Sequence, residues 1–525
     1  MMPQRITIYD TTLRDGYQTE GVSFTVKDKV KITEKLDDLG VHYIEGGWPG
    51  SNPKDKEYFA VMKNKKLKNS TLAAFGSTRR ANTKASEDKN LNDLIDADTP
   101  TVTIFGKSWD LHVTDVIKTT LEENLAMISD SVEFLKKKKR EVFYDAEHFF
   151  DGYKKNPEYA LKTIRAAQDA GADCIVLCDT NGGTMPQEVS QITAEVKKLL
   201  KTPVGIHTHN DMEMAVSNSI AAVLAGATQV QGTFNGLGER CGNANLCTIV
   251  GILHTKLKLK SLPENRVNKL MDTAYFISEI SNMKLADNAA FVGHSAFAHK
   301  GGVHIDAMLK NPLAYEHVDP QILGNHRRFV TSELAGKMPI ILMAEKMNIK
   351  LDKKSPEAKK LMESLQEKEL DGYQFEAADA SFELFINRAL KQYKPFFKLE
   401  GFSIQTEKSS DGKISVSASI RLNVSEKEHK SGATGHGPVD ALNKALRQAL
   451  APSYPNLEEM HLVDYKVRVL DSKAATASKV RVLIESQDKN DAWTTVGVHE
   501  NIIEASWEAL VDSIEYKLLK DSKKK

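Results

Sequence analysis

From residue 5 to about 255 the chain alternates short apolar segments with stretches of helical period. The apolar segments are Ile6 to Tyr9, His42 to Glu45, Thr71 to Phe75, Thr101 to Phe105, Val142 to Ala146, Cys174 to Cys178, Val204 to His207 and Gln229 to Gly232. Each has the length of a buried strand. Between them Lys27 to Leu39, Thr120 to Leu135, Tyr159 to Ala170, Pro186 to Leu200 and Met214 to Ala225 read as amphipathic helices. Eight strand-helix units in a row predict an α/β fold whose parallel strands close into a TIM (β/α)8 barrel.

The pattern then changes. A lysine-rich helical region follows, in which Asp352 to Glu369 is strongly charged and reads as an exposed helix or linker. From about 396 strand-like alternation returns in Lys413 to Asn423, Val463 to Leu470 and Lys479 to Glu485. A weak internal repeat relates Val439-Asp440-Ala441 with Ala445-Leu446 to Ile503-Glu504-Ala505 with Ala509-Leu510, so two copies of a strands-then-helix unit form a small α+β domain. The expected organisation is a barrel over 1–265, a helical subdomain over 266–395 and the α+β domain over 396–525. Gly432 to Pro438 reads as a glycine-rich turn entering a helix, either a plain entry or a cradle for a carboxylate.

Charge excludes some function classes. Lys plus Arg and Asp plus Glu both number 71, so no global field favours nucleic acid or an anionic membrane. The basic run Lys136 to Arg140 ends a helical stretch and reads as solvated lysines. Four cysteines form no disulfide framework, and Cys174 and Cys178 fall within one strand as buried thiols. No window reaches the length of a membrane span and the first residues run straight into a strand, so a cytoplasmic protein is expected.

Candidate chemistry sits where a barrel carries it, at the carboxyl ends of the strands. Arg14 and Asp15 follow the first strand, Ser77 to Arg79 the third, Glu147 the fifth, Asp179 and Thr180 the sixth, and His207 and His209 close the seventh. Loop eight carries Asn235 to Asn243. Two histidines two residues apart on a strand point to one face. With Asp15 brought in by barrel closure and Asn243 as a further oxygen, they make a site for a divalent metal such as Mn, Mg or Zn. The bland alternatives are a structural histidine pair and an aspartate that turns the chain.

Asp10-Thr11-Thr12-Leu13-Arg14-Asp15-Gly16, His207-Thr208-His209-Asn210-Asp211 and Gly236 to Asn243 together resemble the DRE-TIM metallolyase superfamily, in its Claisen-condensing branch of 2-isopropylmalate, homocitrate and citramalate synthases. Gly435-His436-Gly437-Pro438-Val439-Asp440-Ala441 is similar to the C-terminal regulatory domain of the isopropylmalate and citramalate synthases. The segments Gly46 to Asp55 and Tyr144 to Tyr153 are most similar to a bacterial citramalate synthase group. Loop eight reads Gly238-Glu239-Arg240-Cys241-Gly242 in place of the Gly-Gly-Cys-Pro type of loop found in the superfamily's lyases, which favours a synthase.

The resemblance implies a reaction: acetyl-CoA condenses with a 2-keto acid, pyruvate in the citramalate case, on a divalent metal, and the thioester is then hydrolysed. It implies metal ligation by Asp15, His207, His209 and Asn243, stabilisation of the developing alkoxide by Arg14, and a grip on the keto-acid carboxylate by Thr180, whose alternative is a helix cap. Glu147 and His304 are the implied candidates for the base, with Tyr315 as proton donor or orienter. Arg14 could instead serve only as a salt bridge between loops. A homodimer and isoleucine feedback through residues 396–525 are also implied. The rivals are a 2-oxoisovalerate or 2-oxoglutarate acceptor, and a non-catalytic amino-acid sensor that kept the fold.

Overall fold

The computed structural model describes residues 5–329, 341, 355–375, 378–391, 393–470, 478–489 and 491–523. They divide into two compact units: residues up to Phe297 together with Glu316–Arg327, and Ala298–Tyr315 together with the chain from Arg328 onward.

In the first unit eight parallel strands close in sequence order: β1 (Thr7–Asp10), β2 (Tyr43–Glu45), β3 (Thr71–Ser77), β4 (Thr101–Lys107), β5 (Glu141–Glu147), β6 (Cys174–Asp179), β7 (Val204–Thr208) and β8 (Gln229–Gly232). Closure is made by β1 against β8, with Thr7 opposite Gln229 and Asp10 opposite Gly232. The strand period of two sorts the side chains. Tyr9, Ala73, Phe143, Cys174, Val176 and Cys178 form one buried cluster, while the intervening Ile8, Val142, Ile175, Leu177, Ile206 and Val230 belong to the larger core shared with the helices. A TIM barrel is thus what forms, with its interior filled by side chains.

The helices follow from local chemistry. Val26–Leu39 starts at Thr25 in a capping box with Asp28 and ends at Gly40, whose φ of 89° suits a residue without a side chain. Pro53, Pro157 and Pro186 open the helices Pro53–Met62, Pro157–Asp169 and Pro186–Leu199, where their missing N–H is not needed. Residues 266–297, grouped from sequence with the helical region, pack in the barrel's own unit.

In the second unit β9 (Ala298–His299) and β10 (Arg328–Phe329) form a two-residue parallel pair. The charged stretch Asp352 to Glu369 becomes, over Pro356–Leu370, an amphipathic helix rather than an exposed one: Ala358, Leu361, Met362 and Leu365 are buried, and the last three share a cluster with Phe375, Phe382 and Ile386. Residues 352–354 of that stretch, and most of 330–354 in the expected helical subdomain, lie outside the described residues. Two antiparallel sheets follow, β11 (Lys398–Lys408), β12 (Ile414–Val424) and β13 (Lys427–Gly435), then β14 (His461–Val469), β15 (Val480–Gln487) and β16 (Ala492–His499). Each precedes a helix, Pro438–Leu450 and Ile502–Ser522. The repeat seen in the sequence is the buried seam of each copy: Ala441, Leu442, Ala445 and Leu446 pack on Val416, Ala418, Ile420 and Leu422, and Ala505, Ala509 and Leu510 pack on Val482 and Ile484.

Gly432 to Gly435 are not a turn. They pair in β13 with Val416 to Ser419, because their small side chains sit on a strand whose partner supplies the apolar face. Only Gly437 is the helix cap. Among the described residues no helix is long and apolar enough to cross a membrane.

Candidate active site

The carboxyl ends of the barrel strands bring Asp15, His207 and His209 together. Asp15 follows β1, while His207 on β7 and His209 just after it are 5% and 6% exposed. The Nε2 atoms of the two imidazoles lie 3.3 Å apart, and Asp15 Oδ2 is 3.2 Å from His207 Nε2 and 3.9 Å from His209 Nε2. One ligand atom from each of the three falls within 4.8 Å of the others. Asn243 reaches them because its segment is laid between β7 and β8: Ala244 N–H donates to Thr208 O at 3.0 Å, Asn210 N–H to Gly242 O at 2.8 Å, and Thr233 N–H to Ala244 O at 3.0 Å.

The donors fit a divalent ion. Asn243 Nδ2 donates to Asp15 Oδ2 at 2.9 Å, and its buried Oδ1 has no hydrogen-bond partner among the described residues. Exchanging the two ends of this amide turns an oxygen toward Asp15 and His207, which completes an oxygen and imidazole donor set. A Cβ on Gly238 would lie 1.9 Å from that Oδ1, so only glycine leaves room for the asparagine. Asp15 and His209 have protonation states that suit a cation, whereas at His207 burial is outweighed by Asp15 and Asp145, which push the imidazole above its ordinary value. Burial opposes charge on Asp15, but Arg14, His207 and His209 outweigh it and hold the carboxyl well below the usual carboxylate range. Burial and the adjacent His207 hold the His209 imidazole down at about 4, hence neutral.

Several residues that the sequence did not single out shape this centre. His207 Nδ1 faces Gln231 Oε1 at 2.8 Å, and Gln231 Nε2 donates to Asp145 Oδ1 at 3.0 Å. This chain fixes the ring with Nε2 toward Asp15. Burial pushes the Asp145 carboxyl up to about 7. Gln231→Leu removes the ring's orienting partner and is expected to weaken divalent-metal binding by about 10- to 100-fold; isothermal titration of the metal-stripped protein measures it, and unchanged affinity would dismiss the orienting role of Gln231.

Glu45 is the second such residue. Fully buried at the end of β2, it accepts from Tyr9 Oη at 2.7 Å and from Arg14 Nε at 2.6 Å. Arg14 also contacts Asp15 at 3.3 Å, and its guanidinium lies 3.7 Å from the Phe75 ring centroid. The salt bridge foreseen as the alternative for Arg14 is therefore real, yet it engages only part of a guanidinium that has five N–H donors. Burial works against the Arg14 charge, but Asp15 and Glu45 more than restore it.

Glu147 ends β5 and is ion-paired with Lys107. Thr180 Oγ1 accepts the His148 N–H at 2.9 Å; it caps no helix, since the cap of Pro186–Leu199 is Met185. Thr180 O accepts from Arg240, which is held by Asp211 at 2.7 Å. Arg79, expected at the mouth, instead pairs with Glu123 and Asp130, each at 2.7 Å, and is 5% exposed. His304 and Tyr315 lie in the second unit, their rings stacked with centroids 4.1 Å apart.

Signals for the missed residues existed but were faint. Gln231 is a polar residue inside a four-residue barrel strand, and Glu45 closes an apolar one.

A family model described as HMGL-like matches residues 5–278. Models described as a homocitrate synthase post-HMGL domain-like region and as a LeuA allosteric (dimerisation) domain match residues 291–369 and 376–518. The chain is 55% identical over 522 residues to an (R)-citramalate synthase of Aquifex aeolicus (strain VF5), covering 99% of each chain. It is 54% identical over 516 residues to one of Geobacter sulfurreducens, covering 98% of each. A 2-isopropylmalate synthase of Methanocaldococcus jannaschii is 32% identical over 529 residues, covering 99% of this chain and 96% of that one. With its barrel matched throughout and its relatives aligned end to end, this chain belongs to the HMGL-like family.

Proposed function

We propose that this chain is a citramalate synthase, condensing acetyl-CoA with pyruvate to (R)-citramalate and CoA. The observation that carries the reading is a buried Asp15, His207 and His209 cluster beside Arg14 in a chain 55% identical, end to end, to a protein of that name. The 2-isopropylmalate synthase alternative rests on relatives at 32%.

A divalent ion held by Asp15, His207, His209 and Asn243 supplies a Lewis acid for the keto-acid carbonyl. The remaining work falls to side chains. Arg14, clamped by Glu45 and Asp15, presents its remaining N–H groups to the ketone oxygen as negative charge develops there, a contact that strengthens toward the transition state. Thr180 binds the pyruvate carboxylate. Glu147 takes a proton from the acetyl methyl; His304 is the alternative base, with Tyr315 as its proton donor or orienter. The methyl C–H electron pair forms the new bond to the ketone carbon, and the ketone oxygen takes up the displaced pair and then a proton. Water afterwards breaks the thioester C–S bond, leaving a carboxylate and the CoA thiol.

The chain's thiols Cys174, Cys178, Cys241 and Cys247 are free, which suits the reducing cytoplasm. We assign homodimerisation and isoleucine feedback to the C-terminal repeats, over which a LeuA allosteric (dimerisation) domain model matches. Strand β14 supports a subunit contact, since Val463, Val467 and Val469 are 54%, 41% and 54% exposed on it. The product then feeds isoleucine synthesis.

The test is CoA release from acetyl-CoA with Mn2+ across pyruvate, 2-oxobutanoate, 2-oxoisovalerate and 2-oxoglutarate. Pyruvate is expected to be preferred, with the rate falling as isoleucine rises. Preference for 2-oxoisovalerate would transfer the assignment to 2-isopropylmalate synthase, absence of CoA release with every acceptor would leave an amino-acid sensor, and indifference to isoleucine would remove the feedback.

A further inference from the structure

The ends of β4 and β5 set a cation beside the carboxylate assigned to proton transfer. Lys107 and Glu147 are register partners on adjacent parallel strands, so their side chains leave the sheet on the same side. Lys107 Nζ is ion-paired with Glu147 Oε2, the side chains being 17% and 24% exposed. The backbone is pinned around the pair. Ser108 N–H donates to Glu147 O at 3.2 Å, Lys107 O accepts from Asn124 Nδ2 at 2.9 Å, and His148 N–H donates to Thr180 Oγ1 at 2.9 Å. His148 turns the chain at once after Glu147, at a φ of 54° that side-chain-bearing residues rarely adopt. Gly106 allows the close approach of Tyr144, whose Oη would lie 2.8 Å from an added Cβ.

Exposed ion pairs between flexible side chains contribute little, because ordering both chains offsets the attraction. Here the strands and their cross-links do much of the ordering, so the pair acts on the direction of the carboxylate. We infer that Lys107 is a positioning residue for Glu147: its ammonium holds Oε2 and aims Oε1 at the methyl proton of the acyl donor. This rests on the citramalate synthase reading and on Glu147 as its base.

The experiment uses the full chain with Mn2+, acetyl-CoA and pyruvate, and the variants K107M, K107R, E147Q and K107M/E147Q. K107M is expected to lower kcat by about tenfold or more while changing the KM for pyruvate less than about threefold, with bound Mn2+ as in the unaltered protein. K107R is expected to recover part of the loss. In the E147Q background K107M is expected to cost nothing further, since a residue acting through Glu147 has nothing left to act on. A K107M kcat within about twofold of the unaltered protein, an additive loss in the double variant, or a loss confined to the KM for acetyl-CoA would each overturn the inference. Should E147Q itself keep full turnover, the assignment of Glu147 fails and the inference with it, whereas the acceptor assay on the unaltered chain judges the overall function independently.

Discussion

His209→Ala is expected to leave a folded barrel that no longer retains a divalent ion and turns over about a thousandfold more slowly or worse, the loss of several kcal/mol of charge stabilisation. The size follows from geometry. His209 Nε2 is one corner of a cluster whose other members lie 3.3 and 3.9 Å away, and its burial with His207 holds the ring neutral, the form that donates a lone pair. Asp15→Asn is expected to do the same by removing the anionic ligand of the cluster among the described residues. Elemental analysis after gel filtration, with circular dichroism to verify the fold, measures both variants. One bound ion per chain in either variant would refute the ligand assignment.

Glu147→Gln carries the second largest expected effect, a fall in kcat of about 100- to 10,000-fold, the range of a single positioned general base. The change keeps the shape of the side chain and removes its basicity and the charge that pairs with Lys107, so the KM for pyruvate and the metal content are expected to stay near their original values. Exchange of the acetyl-CoA methyl protons with deuterated solvent, followed by NMR in the presence of a non-condensing keto-acid analogue, is expected to vanish with it. Persistence of that exchange at the original rate would move the base elsewhere, to His304 first.

Much of this architecture is legible in the chain. The eight barrel strands fall within a few residues of the apolar segments that predict them, because a strand buried on both faces announces itself as a continuous apolar run. The same reasoning passed over β11, β13 and β16. Strand β11 is an edge of its sheet and largely exposed, so polar residues are tolerated at nearly every position. The helix over Pro356–Leu370 hides its buried face from a reading of charge, because four buried residues among many charged ones suffice for a narrow apolar stripe.

In the site, the contrast is between motifs and neighbours. Asp15, His207 and His209 sit in compact signatures, whereas Gln231 gains its meaning from Asp145, 86 residues away, and Glu45 from Arg14, 31 residues away. A lone glutamine or lysine in a strand says nothing until closure of the barrel decides which strand lies beside it. Lys107 is the clearest example, since its partner Glu147 is 40 residues on.

Closure also dictates the order in which this protein can come into being. Strand β1 must wait for β8, and the hydrogen bond from Asn243 to Asp15 spans 228 residues. At a synthesis rate of about 5–20 residues per second, the first strand spends roughly 10–45 s on the ribosome without its closing neighbour. During that interval it presents an unpaired edge, and the mouth of the barrel does not yet exist. An ion bound there cannot nucleate folding of the nascent chain; it can only latch a ring that the last strand has already shut.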